Sequence, residues 1–468
     1  MHSGEIDKFS ILIGLTIGLF ASSLEGTIVP IAMPRAIQEL GRPELYSWPI
    51  TVFILASTVS IPIWGRLSDI YGRRSVYMSG LLLFGASSLL CGVSWSLEAL
   101  ILFRLLQGAG SGAMFALTFT IIGDLFKLEE RGRVTGYTST VWAIGSLLGP
   151  PMGGLIVDYL GWRWVYLINI PPIAVAAVLT WRRLRGLAGS GAGRDLDIPG
   201  LILFTAIATL IVLLINGSTL GREMSLVLGA VLVTAIPTFI LVEKRMRTPF
   251  IPFKLLRVQT NLAALAINTA VGFAFFGSIT VVPPLLHWAY GLKPTDVGLL
   301  LAPTTLSWVL AANVSSRLVG SKGPRIFLAL GGALFTSALL LSIFINLQIP
   351  NPYLLSIAMA LVGGSMGLIV PATLIALQTL AEPQELGFIT SILTFVRSLS
   401  GAIGTQVMWA PYALIYNLET FSFVEASRAT VVSFGAAALV LAATLPFVLR
   451  VRWPDLRLYD RSRPRIQA

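Results

Sequence analysis

Gly65–Arg74, GRLSDIYGRR, packs four charged residues into ten, while roughly 47–64 before it and 77–94 after it carry no charge at all. This alternation constrains the fold more than any other feature of the chain. Charged turns cannot sit in hydrocarbon, and an uncharged run of that length must satisfy its own backbone hydrogen bonds as a helix. The decapeptide therefore lies at a membrane face, between two spanning helices. The same alternation recurs along the whole chain. Windows of about 20 residues, the length that crosses a bilayer, give fourteen expected spans: roughly 9–32, 47–64, 77–95, 98–126, 134–158, 163–181, 198–216, 225–242, 259–287, 296–316, 325–347, 353–379, 387–412 and 429–449.

Composition agrees. Mean hydropathy is +0.82; 55% of residues are hydrophobic and 12% charged, which excludes a soluble globular domain. The net charge of +11 does not point to nucleic acid, because the basic residues are spread between apolar runs. With the N-terminus inside, most of the 33 Lys and Arg fall in inner loops and tails, so both termini are expected in the cytoplasm. The Arg-rich tail after Leu449 reads as a basic strip against anionic lipid. One cysteine, Cys91, and two distant histidines, His2 and His287, offer neither a disulfide framework nor a metal site. The first apolar run is full length and lacks a cleavage pattern, so no signal peptide is expected.

The chain repeats itself weakly. Ser316–Arg325, SRLVGSKGPR, matches GRLSDIYGRR at its Arg, Leu, Gly and final Arg positions, with Gly320 where the first copy has Asp69. Such a repeat implies two related six-helix halves with 198–242 inserted between them. The expected domains are 1–187, an inserted two-helix segment with its linkers at 188–257, and 258–468. The Gly- and Arg-rich 182–197 reads as the linker entering the insert, and 248–257 as an interfacial segment leaving it.

The pattern G-x-L-x-D-x-x-G-R-R resembles the loop between helices two and three of the major facilitator superfamily. Gly145–Gly154, GSLLGPPMGG, resembles that superfamily's antiporter motif, and GWRW at 161–164 and NIPP at 169–172 follow it. RLLQGAGSG (Arg104–Gly112) and GDLF (Gly123–Phe126) are similar to its fourth-helix motif. LEGTIVPIAMP (Leu24–Pro34) looks like the first-helix signature of the fourteen-helix drug:proton antiporters, with Glu25 where Asp is usual. DLDIPGLIL at 195–203 and Gly291–Pro303 also fit that branch. The resemblance implies an all-α integral membrane protein in the cell's inner (plasma) membrane, two six-helix bundles plus an inserted pair. It also implies export of drug-like molecules driven by the proton gradient, with no other cofactor, no metal and no enzymatic activity.

Site candidates follow from the charges left inside the spans: Glu25, Arg104 and Arg397. An intramembrane ionisable residue is a functional candidate by default. At about 1.5 Å per residue, Glu25 lies roughly 21–24 Å above the inner end of its span, and Arg104 roughly 10 Å below the outer end of the fourth. In a core about 30 Å thick these depths nearly coincide. Two readings stay open: Glu25 as proton carrier tuned by Arg104, or a static pair that holds helices together. Gln107, Trp142, Phe275, Phe276, Trp308 and Arg397 are candidates for a substrate cavity or gate. For the aromatic residues, plain helix packing is the bland alternative. Gly65, Asp69, Gly72, Arg73, Arg74 and Asp124 form the expected conformational latch: Arg73 is placed to pair with Asp124, and the resemblance places Asp69 at the start of span thirteen. Gly145, Gly149, Gly153 and Gly154 admit a close neighbour helix, and Pro150 and Pro151 bend theirs; the outcome is either a pivot or an ordinary packing kink. The partners are lipid, protons and a small hydrophobic or amphipathic substrate, a monocation or neutral molecule, bound by a monomer. A lipid- or fatty-acid-like anion drawn by Arg104 and Arg397, or a metabolite moved by symport, are the alternatives.

Overall fold

A computed structural model describes residues 3–126, 128–181, 183–184, 198–215, 222–246, 258–380, 386–415 and 423–453. The linker expected at 182–197 falls almost wholly outside these residues; 248–257 and the tail beyond Trp453 lie outside them entirely. The described chain is helical: α1 (Ser3–Leu40), α2 (Trp48–Tyr71), α3 (Arg73–Gly92), α4 (Leu97–Leu125), α5 (Leu128–Tyr159), the short α6 (Trp164–Leu167) and α7 (Ile170–Trp181). After them come α8 (Ile198–Ile215) and α9 (Arg222–Arg245). The chain continues through α10 (Gln259–Pro284), α11 (Pro294–Lys322), α12 (Pro324–Gln348), α13 (Pro352–Leu380), α14 (Leu386–Ile415) and α15 (Phe423–Arg450).

Among the described residues, 12 helical segments are long and apolar enough to cross a membrane, against the fourteen expected. Helices α8 and α14 occupy the other two positions without joining those twelve. The first is apolar and 18 residues long, but several of its side chains lie outside the described residues; the second carries Arg397, Gln406 and several Ser and Thr. The sixth expected span is not continuous either. It breaks between α6 and α7 around Asn169, because Pro171 and Pro172 lack the N–H groups that would carry one helix through. By contrast, α5 runs unbroken through Pro150 and Pro151.

The chain gathers into two compact units. The first holds Met1–Thr209, Thr234–Phe239 and Leu286–Leu299; the second holds Leu210–Val233, Ile240–Leu285 and Leu300–Ala468. In the first, α2 and α3 both pack on α4, and α5 and α7 pack on α1. Small residues make these approaches possible. A Cβ at Gly108 would lie 2.5 Å from the Phe53 carbonyl, and one at Gly112 would strike the Ser57 carbonyl. Gly145, Gly149 and Gly153 lie against Phe20, Ser23, Thr27 and Ile28 of α1. Gly154 faces Pro294 and Thr295, while Gly298 faces the Pro150 carbonyl, all within the same unit.

In the second unit α10 packs on α14, and α12 on both α13 and α15. Gly363 and Gly367 of α13 meet the Thr304 and Trp308 carbonyls of α11, as Gly108 and Gly112 meet α2. Two turns repeat as well. Gly72 (φ 87°) joins α2 to α3 and Gly323 (φ 77°) joins α11 to α12, both in a region that favours glycine.

Candidate functional site

The polar centre of the first unit is built on Glu25, whose side chain is completely buried in α1. Arg104, four-fifths of a turn short of Gln107 on α4, donates from Nη1 to Glu25 Oε1 in a short ion pair and to Gln107 Oε1 at 2.6 Å. Its Nε donates to the Pro49 carbonyl at 3.1 Å. The guanidinium carbon sits 4.0 Å from the Phe53 ring centroid and 5.7 Å from that of Tyr166. The cation is thus held by charge, hydrogen bonds and ring faces together.

The second carboxylate oxygen is occupied too. Asn169, at the break between α6 and α7, donates from Nδ2 to Glu25 Oε2. Gln107 Nε2 donates to Ser88 Oγ at 2.6 Å, and the Cys91 thiol points at Gln107 Oε1 from 3.7 Å. Six side chains from α1, α3, α4 and the α6–α7 break therefore form one network centred on the ion pair. Sequence reasoning brought out Glu25 and Arg104 but not Asn169, Ser88 or Cys91. The signal for Asn169 is present in NIPP: an amide two residues before a pair of helix-breaking prolines, inside an apolar run.

Taking two charges out of water is costly, and the arrangement holds only because nearly every lone pair and N–H finds a partner. What it can do chemically is bind a proton: carboxylate oxygens that accept from Arg104 and Asn169 must rearrange those bonds when one of them becomes an O–H. Gln107 takes part in the same network. A candidate for the substrate cavity or gate, it is fully buried with both ends of its amide engaged here. Arg104 is only 1% exposed and committed to the same network.

At the charged turn, Arg73 donates from Nε to Asp124 at 2.8 Å, and from Nη1 to Asp69 at 2.5 Å and to Ser68 Oγ at 2.7 Å. The structure thus brings Arg73 and Asp124 together and gives Asp69 the same arginine as partner. The segment before α14, expected opposite Asp69, lies at 381–385, outside the described residues. Arg74 stacks 4.5 Å over the Trp181 ring. Gly65 lies within α2, where a Cβ would meet open space.

Among the cavity candidates, Phe275 is buried and meets Phe276 and Trp308 edge-on, with centroids 5.5 and 5.4 Å away. Trp142 is half-buried on α5. The side chain of Arg397, on α14, has no acidic partner among the described residues. Its backbone carbonyl instead abuts Gly272 of α10.

Comparison with known proteins follows the same lines. The family model of the Major Facilitator Superfamily matches residues 15–405. The multidrug transporter protein MdtP of Bacillus subtilis is 34% identical over 414 residues, 87% of this chain and 76% of that one. The multidrug efflux pump SdrM of Staphylococcus aureus is 28% identical, covering 86% and 89%. The riboflavin transporter RibZ of Clostridioides difficile is 29% identical, covering 90% and 92%. A crystal structure of a bacterial homolog of the human lysosomal transporter Spinster superposes with a TM-score of 0.69 at 16% identity, over 97% of both chains.

Proposed function

The chain belongs to the Major Facilitator Superfamily, and from that premise we propose that it exports hydrophobic or amphipathic compounds in exchange for protons. It belongs, on this reading, to the fourteen-helix branch, with α8 and α9 as the inserted pair and both termini in the cytoplasm. Drug-like monocations and neutral molecules are the substrates, an assignment supported by the multidrug relatives.

The observation that carries the proposal is the fully buried Glu25, the acid paired with Arg104. Glu25 is the proton carrier. Facing the cytoplasm it is ionised and held by Arg104 and Asn169, and substrate enters. After the cavity turns outward, a proton adds to the carboxylate, weakens its hold on Arg104 and favours substrate release. The return step carries the proton inward. Each charge moved through the potential supplies about 2.3 kcal/mol per 100 mV. Arg73, Asp69 and Asp124 act as the inner latch, and the Gly145–Gly154 segment of α5 is the pivot about which the helices move.

Everted membrane vesicles test this. Glu25→Gln should abolish substrate accumulation driven by a pH gradient while leaving counterflow exchange of substrate; wild-type accumulation in the variant would overturn the carrier role.

A second reading is favoured by one observation: Arg397 faces no acid among the described residues, so a lipid- or fatty-acid-like anion could take its charge. Competition by matched anionic and cationic dyes separates the two, and Arg397→Ala should weaken only the anion. A metabolite symporter is the third reading, and the direction of transport decides it.

A further inference from the structure

The Asn169 side chain is wholly buried, and while its Nδ2 donates to Glu25, its Oδ1 has no hydrogen-bond partner. A buried carbonyl oxygen left empty beside a protonatable acid calls for an explanation, since such groups are nearly always satisfied. The backbone does not explain it. Asn169 N donates to the Tyr166 carbonyl at 3.2 Å and its own carbonyl accepts from Ile173 N at 3.1 Å, so the residue is anchored at both ends of the α6–α7 break. With the backbone fixed, any change falls to the side chain, and for asparagine the terminal amide torsion is broad and close to two-fold.

The groups around Glu25 are unequal in what they offer. From α4, Arg104 is a donor only, and Gln107 Oε1 already accepts from Arg104 and Cys91. From α3, Cys91 is a weak donor; from α6, the Tyr166 hydroxyl is turned toward Met33 Sδ. No second carboxylate stands in this network. An ionised Glu25 is therefore well served, but a protonated Glu25 needs an acceptor for its new O–H, and the acceptor standing unused is Asn169 Oδ1.

We propose that Asn169 is a protonation-state adaptor for Glu25, its amide donating from Nδ2 to the carboxylate and turning over to accept at Oδ1 from the carboxylic acid. This rests on the reading of Glu25 as proton carrier and deepens it. The step balances simply: one proton adds to Glu25 Oε2, no covalent bond breaks, and the Nδ2–Oε2 hydrogen bond is exchanged for an O–H to Oδ1 bond. Asn169 is a positioning residue. Because it serves both forms of the acid, the proton is taken up and surrendered without either form being stranded in a dry site.

The test is infrared difference spectroscopy across a pH step on the full chain in lipid vesicles, with the Glu25 acid band assigned by its loss in Glu25→Gln. Asn169→Leu keeps the volume and removes the amide. It should move the acid carbonyl band to the higher frequency of an unbonded acid and lower proton-driven efflux by about tenfold or more, the size set by one hydrogen bond to a charged group. Asn169→Gln keeps an amide and should retain the bonded band. Without any substitution at Asn169, labelling asparagine side-chain carbonyls with carbon-13 should yield a pH-difference band that titrates together with Glu25. An unmoved Glu25 band in Asn169→Leu, or no titrating asparagine band in the unsubstituted protein, overturns the adaptor while leaving the carrier reading intact. A Glu25 that shows no acid band at any pH overturns both.

Discussion

Gly72 (φ 87°, ψ 148°) and Gly323 (φ 77°, ψ 156°) turn the chain at equivalent points of the two units, between α2 and α3 and between α11 and α12. Around the first, Arg73 ties together Asp69, Ser68 and Asp124. Around the second, Gly320 and Pro324 stand in the places of Asp69 and Arg73, so Arg317, Lys322 and Arg325 have no acid within the turn itself. The interiors differ in the same sense. In the first unit α1 and α4 meet through the Glu25–Arg104 ion pair, whereas the corresponding α10 and α13 meet through a neutral Asn268–Thr373 hydrogen bond of 3.0 Å. Backbone geometry is common to both units, whereas the acids at the turn and at the helix crossing are present in one. Helix packing needs small residues and glycine turns in every copy, but the proposed proton carrier and latch need their acids only once.

Breaking the shared part should hurt both units equally. Gly112→Val and Gly367→Val each push a side chain into a facing carbonyl, of Ser57 or of Trp308. Each should destabilise by about 3 kcal/mol or more, read as a lost thermal transition of the purified protein; a tolerated valine on one side alone would break the equivalence. Next, Gly72→Ala and Gly323→Ala should each cost about 1–3 kcal/mol, because both glycines hold a conformation nearly closed to other residues. Unequal costs would show that the two turns are not matched.

Smaller effects sharpen the difference instead. Arg73→Ala removes charge-assisted bonds to two partly exposed acids and should cost about 1–2 kcal/mol of stability. Transport should fall well beyond that loss, while Arg325→Ala in the second turn should transport like the wild type. Vesicle uptake measured at equal protein level separates them. Gly320→Asp, which restores the missing acid, should change stability by less than about 0.5 kcal/mol. If it slows turnover markedly, the second turn latches once it is charged.

The charged turns and the glycine seams were legible in the sequence because oil tolerates neither stray charge nor wide gaps between helices. The meeting of Glu25 with Arg104 was legible from depth alone, since rise per residue is constant. What depth cannot give is rotation about each helix axis, and rotation decides which neighbours converge. For that reason the bond from Arg104 to Gln107, and the places of Ser88 and Cys91 beside it, are not readable from the sequence. Asn169 was hidden for another reason: its position depends on the interruption of the sixth span, which the apolar run conceals. The division into units was also not readable from the loops, since Leu286–Leu299 gathers with the first unit despite its place in the chain.

The glycine seams of α4, α5 and α13 carry a consequence for how such a pump can change. A single added methyl at Gly108, Gly149 or Gly363 collides with the helix opposite, so those surfaces are closed to innovation. On the proposed reading, altered selectivity would then arise elsewhere, at the candidate cavity rings Trp142, Phe276 and Trp308, where replacement reshapes a contact without prising helices apart.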